Sequence, residues 1–233
     1  EKAEALREEF DPHLRSGANK FAEMASHPFT LSLLTDACEA GHGLEQSRAE
    51  LIGNLVERRI EHELSDWRQP DKLVENREKT KEIGFTFLEW VGFAMQRLGK
   101  GTLVLADLQK LFWHVKGEII SCEEMLELAQ DARILVVMKE AEKKSYRFFH
   151  QLIQEYFAAR RLLQHFQRKA RLGHYVRVGW RYWQFRPKWI GKDDEWGRPF
   201  SPAWAETVQM ATTLAGKDTI RFIKEVRRHN LPL

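Results

Sequence analysis

The chain has 233 residues, 43% hydrophobic and 30% charged, with a formal net charge of +3. That is enough material for a sizeable core, in one large domain or about two or three small ones. No apolar run approaches the roughly 18–20 residues of a membrane span, so no membrane partner is expected. The nearly balanced charge argues for no partner by itself.

The chain begins at Glu1 without a signal peptide or an initiating methionine, and it reads as a piece of a longer protein. Cys38 and Cys122 are too few for a disulfide framework and fit a reducing, cytoplasmic setting. Residues 1–17 read as a charged, partly amphipathic helix (Ala5, Leu6, Phe10, Leu14). Pro28 then starts a buried helix carrying Phe29, Leu31, Leu33 and Leu34. A first-turn proline costs nothing there, because its missing N–H would have no partner anyway.

Gly41 and Gly43 break that helix, and Ser47 with Glu50 three residues on has the spacing of a capping box. In the helix that follows, Leu51, Leu55 and Ile60 should face the core, while Arg58 and Arg59 are most simply solvated. Gln69-Pro70 ends this unit. Residues 72–98 read as helix again, with Ile83, Phe87, Leu88, Val91, Phe93 and Met95 on its apolar face and a Gly99-Lys100-Gly101 turn behind it.

Thr102 to Val115 combines a short extended piece (Leu103 to Leu105) with a helix from Asp107 to His114. Ser121-Cys122-Glu123-Glu124 caps a further helix running through Gln130. R-I-L-V-V-M-K and S-Y-R-F-F-H then form a hairpin around the polar turn A-E-K-K. His150 ends the second strand and precedes an amphipathic helix with Leu152, Ile153, Tyr156, Phe157, Ala159 and Leu163 on one side. The free N–H groups at such a helix start attract anions, and a histidine there can reach one. A satisfied structural histidine is the bland alternative. Near neutral pH an imidazole with a reference pKa of ~6.5 is mostly neutral and can donate one hydrogen bond. Gln154 and Glu155 read as surface polar contacts.

The stretch from Ala170 to Pro202 is irregular, with five of the eight Trp between Trp180 and Trp204, which most simply plug a loop-rich surface. Helix returns from Pro202 to Arg228 with Trp204, Val208, Met210, Leu214, Ile220, Phe222, Ile223 and Val226 as its apolar residues. From Tyr156 to Lys192 there are ten Lys or Arg and no acid. With Tyr175, Trp180, Tyr182 and Trp183 interleaved, block 160–192 could track a nucleic-acid backbone. It could equally be a solvated face or an inter-subunit or intramolecular contact. The acidic candidate recognition helix, Ser121 to Asp131, and Glu140 and Glu142 beside the hairpin argue against DNA reading.

No Walker A loop, H-E-x-x-H, G-x-S-x-G or Cys/His cluster is present, so the sequence offers neither a catalytic set nor a metal site, and Cys38 with His42 supplies only two ligands.

Two strings go further. F-x-H-x-x-x-Q-E-Y-F-A-A, around His150, closely resembles the winged-helix segment of NACHT-type STAND NTPases, the superfamily of inflammasome receptors and, more widely, apoptosome proteins and bacterial antiphage sensors. The stretch at Pro28 resembles that family's N-P-[FL]-x-L-[ST]-x-L pattern, with His27 in place of the usual Asn. The segment from Ser47 resembles the family's helix between the two. The likeness covers residues 19–163.

The resemblance implies a mainly α fold: residues 1–27 end a first helical domain, 28–168 form a winged-helix domain with a small β-hairpin, and 169–233 start a second helical domain. It implies that Pro28 packs on the adenine ring and that His150 contacts the β-phosphate of ADP. It further implies ADP/ATP with Mg held mainly by an upstream nucleotide-binding domain, which is the chain's own partner. Homo-oligomer formation after ATP exchange and an unidentified sensed ligand complete the implied defence or immune-type signalling cycle.

Overall fold

The computed structural model describes residues 28–39, 47–66, 77–115, 120–140, 143–168, 172 and 202–229. The expected helix over 1–17, the block beyond Arg168 apart from Leu172, and the Trp-rich stretch up to residue 201 lie outside them. The architecture is mainly helical with one small sheet. The chain divides into two compact units, Glu1–Arg58 and Arg59–Leu233.

The first unit holds helix α1 (Pro28–Glu39) and most of α2 (Arg48–Asp66). Pro28 is the first residue of α1 and is exposed. Leu33 and Leu34 are buried, whereas Leu31 faces water, because three and four residues on from Thr30 define the inner side here. Ser47 caps α2 by accepting the Glu50 N–H at 3.2 Å, as its spacing indicates.

The second unit is built on α3 (Arg77–Leu98), and all six apolar residues expected on its inner face are buried. It stops at Gly99, whose φ of 62° lets Lys100 N–H reach the Met95 carbonyl at 3.0 Å. Strand β1 (Leu103–Val104) follows, then α4 (Leu105–Phe112) with a 3-10 turn over Trp113–Val115. Leu105 is therefore helical rather than extended. Helix α5 (Cys122–Asp131) carries a complete capping box between Ser121 and Glu124.

Strands β2 (Leu135–Glu140) and β3 (Lys143–Phe148) pair antiparallel from Leu135↔Phe148 to Glu140↔Lys143. The strands reach further toward the turn than the A-E-K-K reading, since Lys143 and Lys144 are paired in the ladder. Strand β1 adds to the other side of β3, giving the order β1-β3-β2. Alternation along β3 turns Tyr146 and Phe148 inward and Arg147 outward.

Helix α6 (Gln151–Gln167) closes the unit against α3, and α7 (Pro202–Leu214) packs on α6 in turn. The last helix, α8 (Thr219–His229), follows a 3-10 turn over Gly216–Asp218. The single helix expected from Pro202 to Arg228 is thus two. Gly216 has φ 51°, and the Thr219 hydroxyl donates to the Gly216 carbonyl at 2.7 Å, breaking the run between them.

Candidate functional site

His150 lies where the sheet hands over to α6. Phe148, two residues before it, is buried with its ring 5.8 Å from that of Phe157. Phe149 N–H continues the ladder to the Ile134 carbonyl at 2.9 Å, which fixes the backbone up to the junction. His150 itself is extended (φ −139°, ψ 145°) and is the N-cap of α6. Its Nδ1 accepts the Leu152 N–H at 3.1 Å, the role usually taken by a Ser or Asp oxygen.

That bond has two consequences. A nitrogen that accepts cannot also carry the proton, so the neutral ring holds its hydrogen on Nε2. One amide that an incoming anion might have used is also filled by the histidine itself. The helix start is therefore less open than the sequence suggests. Burial lowers the imidazole pKa below its ordinary value, which keeps the ring neutral at physiological pH.

Behind this junction α6 is tied to α3 by polar groups in an otherwise apolar contact. Gln154 donates to the Gln96 side chain at 3.1 Å. Glu155 is buried and accepts from Gln151 at 2.8 Å. Neither is the surface contact that the sequence suggests. Glu89, only 1% exposed, accepts from Arg160 Nε at 2.7 Å and from Gln164 at 2.6 Å. Arg160 also donates to the Tyr156 hydroxyl at 3.1 Å and lies 4.9 Å from the Phe85 ring centre. Burial pulls the guanidinium pKa down, but Tyr156 and Glu89 more than offset this, so the net direction is up.

Arg161 is buried as well, 3.7 Å above the Trp90 ring, and the His114 ring stacks on Trp90 at 5.0 Å. Two of the ten cations of the basic block are thus engaged with α3 rather than solvated. Arg59, also read as solvated, donates to the Arg133 carbonyl at 3.0 Å.

Pro28 opens α1 in the first unit and His150 caps α6 in the second. Glu89 and Arg160 are the pair that sequence reasoning missed. The available signal was an acid four residues from both Phe85 and Phe93, on the inner side of an apolar helix.

Other reactive groups are muted. Burial, helped by Glu123, pushes the Cys122 thiol up to about 11, so it is protonated at neutral pH. Among the described residues no group of three His, Cys, Asp or Glu is placed to hold a metal ion. Comparison with family models, curated proteins and solved structures finds no match.

Proposed function

We propose that this chain is the regulatory half of a NACHT/STAND-type signalling module, which closes on ADP and opens on ATP exchange to permit oligomerisation. In this reading residues 28–168 form a winged-helix domain. Its element order supports that: helix, short strand, two helices, hairpin, helix, with β3 central and the first strand joining its free side. The string around His150 is the sequence support.

The observation that carries the reading is the His150 Nδ1 bond to the Leu152 N–H. It sets the tautomer with the Nε2 proton as the donor for a phosphate oxygen, in the neutral state that burial favours. ADP then bridges an upstream nucleotide-binding domain to this ring, with Pro28 against adenine. Exchange for ATP releases the latch, a two-state element biased by its ligand.

The test uses the chain joined to that upstream domain. His150→Asn retains a side-chain acceptor for the Leu152 N–H but cannot reach as an imidazole does. His150→Leu removes both. Both variants are expected to release ADP faster and to assemble without stimulus. Wild-type ADP affinity and wild-type basal assembly in His150→Asn would overturn the reading, as would a gene with no Walker A loop upstream.

A further inference from the structure

Helix α8 has two unlike faces. Phe222 and Val226, four residues apart, are buried, and the Phe222 ring stands edge-on to Phe166 at 5.4 Å. At 3.6 residues per turn, the side turned away carries Arg227, Ile220 and Lys224, flanked by Ile223 and Arg228. Ile220 is 70% exposed and Ile223 39% exposed. Lys224, Arg227 and Arg228 are exposed around them, whereas the Arg221 guanidinium lies 5.2 Å from the Phe166 ring centre. Glu225, the only acid in the helix, lies toward the opposite edge, paired with Arg228 at 3.1 Å.

Two aliphatic side chains held in water beside Lys224, Arg227 and Arg228 call for a partner that is both anionic and oily. We propose that, contrary to the expectation of no membrane partner, this face of α8 docks peripherally on an anionic lipid surface. Lys224, Arg227 and their neighbours meet lipid phosphates and carboxylates, while Ile220 and Ile223 enter the boundary between headgroups and acyl chains. Single-stranded nucleic acid would satisfy the cations but not the isoleucines, because bases stack on aromatic or guanidinium planes rather than on aliphatic branches. A protein helix would need its own apolar stripe in register with two isoleucines less than a turn apart, whereas a bilayer interface imposes no register. At 11 residues α8 is far too short to span, and no helix among the described residues is long and apolar enough to do so.

Each Lys or Arg brought to an anionic surface strengthens partitioning roughly fivefold. The full chain is therefore expected to co-sediment with phosphatidylcholine vesicles containing phosphatidylserine. It should stay in solution with phosphatidylcholine alone and leave the anionic vesicles at high salt. Lys224→Glu with Arg227→Glu is expected to weaken vesicle binding at least tenfold. Ile220→Ser with Ile223→Ser should weaken it several-fold, and Lys110→Glu, an exposed position on α4, should leave it unchanged.

All these side chains are exposed, so circular dichroism melts should match wild type and separate lost binding from lost fold. Equal binding to both vesicle types, or wild-type binding by either α8 variant, overturns the proposal. So does retention on polyglutamate or single-stranded DNA without vesicle binding, which would assign the face to those partners instead.

Discussion

Gly92 of α3 presses directly against Phe157 of α6. A Cβ built at Gly92 would lie 2.9 Å from the Phe157 Cβ and 2.8 Å from the Gln154 carbonyl oxygen. Ordinary carbon contacts need about 3.5–4.0 Å. The missing side chain is what lets the two helices approach closely enough to form the polar ties on either side.

Gly92→Ala should therefore destabilise the chain, although alanine favours helix by about 1 kcal/mol over glycine. Overpacking costs of about 1–3 kcal/mol are expected to dominate, since one obstructing atom is backbone and cannot swing aside. A urea unfolding curve would show a lower midpoint at unchanged slope. A rise in stability would mean that the helices can part without loss.

The Glu89–Arg160 pair should respond unequally to loss of either member. Arg160→Leu leaves a carboxylate that is 1% exposed facing one glutamine, a loss of about 3–5 kcal/mol. Glu89→Leu leaves a guanidinium whose side chain is 36% exposed and can turn to water, so the loss should be smaller. Replacing both by apolar residues should recover much of the damage. Equal losses in the two single variants, measured by urea unfolding, would refute this account.

Arg133 is the one described non-glycine residue with positive φ, at 52°. It ends α5 with the same pair of bonds that Gly99 makes after α3: its own N–H to the Gln130 carbonyl at 2.8 Å, and Ile134 N–H to the Ala129 carbonyl at 2.9 Å. Arg133→Gly is expected to stabilise by up to ~1 kcal/mol, and Gly99→Ala to cost about the same. The Arg59 bond survives in the first variant, because it ends on the Arg133 backbone. Thermal melts of the two variants should move in opposite directions.

Stability should fall on mild acidification. Burial, with Arg161 and Arg168 adding repulsion, lowers His165 from 6.5 to about 4, and burial lowers His150 in the same direction. Above pH 6.5 both forms of the chain hold neutral rings, so this contribution is intact. Below it the unfolded chain takes up protons first, and stability drains away until the folded rings titrate, near pH 4 for His165. A His165→Leu variant should lose less melting temperature between pH 7 and pH 4 than wild type. An equal drop would assign the acid sensitivity to other groups.

Local signals survived into the structure. The caps at Ser47 and Ser121 follow from three-residue spacings that act within one turn. The hairpin follows from two β-rich runs on either side of a polar turn. The position of His150 at the strand-to-helix junction was likewise legible.

Features that lack a marker residue, or that depend on a partner distant in sequence, were not. Arg133 offers no glycine to mark its left-handed turn. The roles of Arg160 and Arg161 depend on Glu89 and Trp90, about seventy residues upstream, and a run of cations gives no hint of them. Ile220 and Ile223 count in sequence with the apolar residues of this stretch, yet Phe222 and Val226 are the ones buried in α8.

The clasp between α3 and α6 bears on how such a chain can change over generations. Drift at position 89 or position 160 alone strands a charge, whereas a switch of both to aliphatic residues passes with little harm. Descendants should carry either both charged residues or neither, so these two columns, far apart in the text, should be inherited as one character.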